Sequence, residues 1–96
     1  MEKLSYLPTR YYLRINVEES TVTVDVHELG RDEMERLVNF IASLLRGIGF
    51  SLVIIHGYNN GTVLKEAIRK DEFVSRPHTV VKSKFNLGIT TYEFAA

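Results

Sequence analysis

Two short stretches near the front of the chain alternate between apolar and polar positions. Tyr11, Leu13, Ile15 and Val17 alternate with Tyr12, Arg14 and Asn16, which predicts a half-buried strand over 10–17. After the polar break Glu18-Glu19-Ser20, the run Thr21 to His27 alternates again. Val22, Val24 and Val26 fall on one face, with Thr23, Asp25 and His27 on the other. Two period-two runs across a short link predict a hairpin. The period then changes. Met34, Leu37, Val38, Ile41, Leu44, Leu45 and Ile48 recur at three- and four-residue steps, the stripe of an amphipathic helix from Gly30 to Gly47. Asp32 and Glu33 suit the positive end of its dipole, Arg46 the negative end, and Gly47 with Gly49 a helix C-terminus.

Phe50 to Ile55 is almost wholly apolar, the pattern of a central strand buried on both faces. Val63, Leu64, Ala67 and Ile68 predict a second, shorter helix, and Pro77 closes the link after it. Thr79–Phe85 and Ile89–Phe94 are β-rich runs on either side of Asn86-Leu87-Gly88, a hairpin turn. Residues 1–9 have no period and read as a flexible arm. The order β, β, α, β, α, β, β describes an α/β two-layer sandwich: a βαβαββ core with a mixed four-stranded sheet and two helices, plus an extra N-terminal strand. A strand–helix–strand crossover makes the strands ending at His27 and Ile55 parallel neighbours.

Composition narrows this reading only slightly. Ninety-six residues suffice for one domain, here 10–96, with one core. There is no cysteine, so neither disulfides nor thiolate chemistry enters, which fits a cytoplasmic protein. No segment has the length of a membrane span, and Ser5, Tyr6 and Pro8 break any secretory signal. Twelve basic side chains balance twelve acidic ones, so no bulk field steers the chain toward a polyanion. Acid gathers in the first half, whereas Lys65, Arg69, Lys70, Arg76, Lys82 and Lys84 make the second half more basic.

The candidate chemistry lies where the strands end. Asp25 and His27 are two residues apart on a strand and project from one face. His27 and His56 should share the carboxyl edge of the sheet, where ligands of open α/β sheets bind. The stretch Phe50 to Arg69 runs from an apolar strand through a polar turn into a helix. Unpartnered N–H groups at a helix N-terminus suit an anion. The candidate phosphate-binding residues are Gly57, Tyr58, Asn59, Asn60, Gly61, Lys65 and Arg69, and the candidate catalytic residues are Asp25, His27 and His56. Each also has a structural reading: a histidine at a strand end often bonds a loop carbonyl, and the glycines serve a turn. Two histidines and a carboxylate could hold a divalent metal, although the spacing matches no metal signature. His78 has no partner in sequence.

Val24-Asp25-Val26-His27, Ile54-Ile55-His56-Gly57, Gly61, Val63-Leu64-Lys65 and Gly88-Ile89-Thr90 together resemble the Smr (small MutS-related) domain. The resemblance runs from about Thr21 to Phe94. It implies the fold of the C-terminal domain of translation initiation factor 3 and binding to DNA or RNA. Several members nick DNA or cut RNA, so it also implies a weak endonuclease or ribonuclease, with Asp25, His27 and His56 as the implicated residues. Two positions depart from the family pattern. Glu28 stands where the first motif has glycine, and Tyr58-Asn59-Asn60 stands where the second has Lys-Gly-x. A lysine lost and an acid gained both weaken anion binding. The alternative is a protein-interaction module on the same fold, with Tyr11, Tyr12, Leu13 and Ile15 on an edge strand that pairs two copies into a homodimer.

Overall fold

The computed structural model describes residues 7–57 and 62–96. The chain runs α1 (Thr9–Tyr12), β1 (Ile15–Glu18), β2 (Thr21–Asp25), α2 (Arg31–Leu44), β3 (Phe50–Ile55), α3 (Val63–Lys70), β4 (Thr79–Lys82) and β5 (Ile89–Phe94). One mixed five-stranded sheet has the order β1-β2-β3-β5-β4. Among these strands only β2 and β3 pair in parallel, Val22 opposite Leu52 and Val24 opposite Ile54; the other neighbours are antiparallel. Among the described residues no helix is long and apolar enough to cross a membrane.

The predicted alternation of β2 is what sets the layers. Val22, Val24 and Val26 are fully buried, with Leu52 and Ile54 of β3 and Tyr92 and Phe94 of β5 on the same side. Met34, Leu37, Val38 and Ile41 of α2 and Ala67 and Ile68 of α3 close that side into one core. Burying a Val, Leu or Ile side chain is worth roughly 1.5–3 kcal/mol, so this shared face holds the sandwich together. Among the described residues the other face of the sheet has no such cover. Thr21, Thr23, Ser51, Val53 and Thr91 are half-buried there, and Ser51 Oγ donates to Glu93 Oε2 at 2.6 Å. β3 is therefore central in the sheet, but among the described residues it is covered on one face, contrary to the expectation of burial on both.

The start of the chain also differs from expectation. In place of a strand over 10–17, residues 9–12 form one helical turn and the strand begins at Ile15. The carbonyl of Pro8 accepts from the N–H groups of Tyr11 and Tyr12 at 2.9 and 3.0 Å, and proline's fixed φ suits a helix start. This turn carries Tyr11 over α2, where its hydroxyl donates to Glu33 Oε2 at 2.5 Å. Leu7 is buried in the core, contrary to the flexible arm predicted over residues 1–9, of which residues 1–6 lie outside the described residues. The predicted hairpin is present, with Glu19 at φ 55 serving where Asn or Gly is usual.

Two side chains beyond α3 fix its exit. The Arg76 guanidinium donates to the carbonyls of Ala42 and Leu45 in the last turn of α2 and of Ile48 and Ala95 beyond it, at 2.6–3.2 Å. It also lies over the Phe94 ring. One cation thereby satisfies carbonyls that a helix end leaves open. His78, unassigned from sequence, has its side chain buried against Tyr92 with Nδ1 donating to the Arg76 carbonyl at 2.5 Å. Its Nε2 lies 2.7 Å from Asp71, the left-handed residue that ends α3.

Candidate functional site

The carboxyl ends of the two parallel strands meet as predicted. Val26 N–H continues the ladder to the Ile55 carbonyl at 2.9 Å. One residue on, the N–H groups of His56 and Gly57 both donate to the Gly88 carbonyl, at 2.8 and 3.0 Å. Gly57 has φ 72, and a Cβ built there would stand 3.4 Å from the Cβ of His27. A left-handed backbone against a neighbouring side chain is a place for glycine. His27, His56, Gly57 and Gly88 thus form one edge.

The two histidines face opposite ways from it. Val24 and Val26 point into the core, so Asp25 between them points to the uncovered face, and His27 goes with it. Asp25 Oδ1 accepts from both the ring Nδ1 and, at 3.1 Å, the backbone N–H of His27. The far ring nitrogen, Nε2, lies 3.3 Å from Glu28 Oε1. Arg14 brackets the group, donating to the Asp25 carbonyl at 3.2 Å and reaching Glu28 Oε2 at 3.5 Å. The bond to Asp25, with the charges of Asp25 and Glu28, holds the His27 pKa above its ordinary value. For Asp25, desolvation pushes the carboxyl up, but the ring and backbone bonds from His27 outweigh it and leave the pKa lowered. His27 is an exposed ring set between two carboxylates.

His56 is the reverse. It is 4% exposed, on the helix side, and both ring nitrogens are committed. Nδ1 donates to the Gly57 carbonyl at 2.8 Å, which leaves Nε2 to accept from the hydroxyl of Thr90 at 3.0 Å. Thr90 Oγ1 in turn accepts from Arg69 Nε at 3.1 Å. The chain of bonds reads Arg69, Thr90, His56, Gly57, and with a neutral His56 the Thr90 hydroxyl is both donor and acceptor in it. Burial lowers its pKa, the Gly57 carbonyl opposes that, and the charges of Arg69 and Lys65 lower it further.

The cations gather on this helix side. Lys65 and Arg69 stand one turn apart on α3, and Arg69 Nη2 is buried with no hydrogen-bond partner among the described residues. Lys82 of β4 is in register with Thr90 and so projects from the same face. Tyr58, Asn59, Asn60 and Gly61, the rest of the predicted phosphate turn, lie outside the described residues. Asp25, His27 and His56 do not converge as ligands: among the described residues no cluster of three or more His, Cys, Asp or Glu is placed to hold a metal ion. In the sequence Lys82 stands out only within the basic second half, and Gly88 and Thr90 only within the Gly88-Ile89-Thr90 motif, which gives none of them a place in the site. Thr90 had one signal, its place two residues before Tyr92 on the inward side of β5.

Comparison with known proteins adds no name to this edge. No family model matches the chain, and neither a curated protein nor a solved structure does.

Proposed function

We propose that this chain is a nucleic-acid-binding domain of Smr-like build that holds phosphodiesters at the helix side of the carboxyl edge and does not cut them. The observation that carries the reading is the segregation of charge across the edge. Lys65, Arg69 and Lys82 share the side of the sheet that holds the start of α3, while Asp25, Glu28 and His27 occupy the other. An anion approaching the first turn of α3 meets Lys65 there, beside a Glu66 carboxylate engaged by Thr62 Oγ1 at 3.0 Å, while Asp25 and Glu28 stay behind the sheet.

Binding without cleavage follows from the state of the histidines. A general base needs a free lone pair within reach of the proton it takes. His56 spends both nitrogens on Gly57 and Thr90, and His27 has Nδ1 on Asp25 and Nε2 3.3 Å from Glu28. One base would contribute ~10²–10⁴-fold, far short of what phosphate ester hydrolysis demands. His56 therefore positions Thr90 and Arg69, and the Asp25–His27 pair pins the end of β2.

The test is a binding titration with labelled single-stranded DNA, duplex DNA and RNA at several salt concentrations, alongside gel assays for cleavage with and without Mg²⁺. Binding should weaken with salt, by a slope of roughly 0.7–0.9 per phosphate contact, and Lys65→Ala should lower that slope by about one contact. Intact probes are expected throughout. Absence of binding to all three probes at low salt refutes the reading, and cleavage abolished by His56→Gln refutes its second half.

A further inference from the structure

The turn between β4 and β5 is built as a presentation loop. Phe85 at its tip is fully exposed, at 103%, and Leu87 is 53% exposed. The ring is held out in water by a defined scaffold. Asn86 N–H donates to Ser83 Oγ at 3.0 Å, Asn86 Oδ1 accepts from Gly88 N–H at 2.9 Å, and Ile89 N–H returns to the Asn86 carbonyl at 3.3 Å. These are the local bonds by which Asn and Ser fix a turn. The loop is also tied to the candidate site, because Gly88 supplies the carbonyl that accepts from His56 and Gly57.

Its flanks decide the partner. Lys82 and Lys84 are both exposed on the approach to Phe85, and Lys82 projects from the side of Thr90, Arg69 and Lys65. An exposed ring set among lysines and continuous with a basic edge is the arrangement that binds single strands, with cations on the backbone and a ring under a base. A duplex offers no free base face without unstacking. A single phenylalanine and one leucine bury little area in a bilayer, whereas one ring suffices to stack one base.

We infer that Phe85 is a stacking platform for an unpaired base of single-stranded DNA or RNA, with Lys82 and Lys84 on the adjoining phosphates. The inference rests on the nucleic-acid reading above and adds the strand type and the contacting loop. Phe85 is fully exposed, so its replacement leaves folding intact. The chain contains no tryptophan, so Phe85→Trp installs a single indole fluorophore at the point of contact.

The experiment titrates wild type, Phe85→Ala, Phe85→Trp and Lys82→Ala/Lys84→Ala with oligo-dT, with duplex DNA of equal length, and with phosphatidylserine vesicles. Expected are preference of wild type for the single strand and a loss of about five- to hundredfold for Phe85→Ala on it. Little change on duplex should accompany that loss, and oligo-dT should quench the indole emission of the Phe85→Trp variant. The double lysine variant should lower the single-strand salt slope by roughly 1.4. If wild type binds oligo-dT but Phe85→Ala binds equally and the indole is not quenched, the stacking role is wrong and the binding reading stands. Failure of wild type to bind any polynucleotide refutes both. A blue shift of the indole emission on vesicles without quenching by oligo-dT assigns the tip to lipid and overturns the inference.

Discussion

His27 and His56 end neighbouring parallel strands, yet the sheet between them puts them in opposite chemical states. His27 is exposed, bonded to Asp25 and flanked by Glu28, with its pKa raised. His56 is buried, bonded to Gly57 and Thr90 and close to two cations, with its pKa lowered. A step of one residue across the pleat explains the difference, because alternate side chains leave opposite faces. Nearness along an edge is therefore not convergence. Two histidines and an aspartate that read as one site become a buried support on one face and an exposed clasp on the other.

The strongest way to break this contrast is to remove each ring. His56→Ala should cost about 2–4 kcal/mol in urea denaturation, since it leaves a cavity and strands Thr90 and Arg69. His27→Ala should leave the midpoint close to wild type, as exposed substitutions usually do. Equal losses would mean that the two are not structurally distinct. Thr90→Val comes next. It keeps the volume but removes the hydroxyl between Arg69 and His56, for an expected loss of about 1–3 kcal/mol by the same assay.

Stability against pH sharpens the comparison, because the two signs are opposite. A group whose folded pKa is lowered stabilises fully above its unfolded value and loses that contribution as pH falls. His56 should thus weaken the fold as pH drops below its ordinary 6.5 toward its folded value. For His27 the folded pKa is raised, so its contribution is complete below 6.5 and fades as pH rises through the folded value. Asp25, lowered from 3.8, loses its share only as pH falls below that point. Urea midpoints between pH 4 and 9 should show the acid-side loss disappear in a folded His56→Gln variant and persist in His27→Gln. The smallest effect is on titration alone. Asp25→Asn should bring the His27 midpoint down in an NMR titration with little change in stability, since an exposed pair is worth about 0–1 kcal/mol.

Much of the fold was legible because valines at 22, 24 and 26 announce a face and Met34 through Leu45 announce a stripe. The faces at the candidate site were not, for a physical reason. Phe50 to Ile55 is apolar at nearly every position, so no alternation marks whether His56 follows Ile54 inward or Ile55 outward. The start of the chain misled for a similar reason: Tyr11, Leu13 and Ile15 fit a strand until Pro8 opens a helical turn that breaks the register. Thr90 reads as ordinary strand filler, and only the packing of α3 over β5 turns its hydroxyl into the link between Arg69 and His56. Pairing of the strands that end near His27 and His56 was readable because short crossovers leave few alternatives.

One measurement bears most directly on which face of the edge is used. Amide chemical shifts should be mapped while a short single-stranded oligonucleotide is added to the labelled protein at low salt. Perturbation is expected at Lys65, Arg69, Lys82, Lys84 and Phe85, with Arg14, Thr23 and Glu28 unmoved. Shifts centred on Arg14, Thr23 and Glu28, with Lys65, Arg69 and Lys82 unmoved, would contradict the assignment of binding to the helix side.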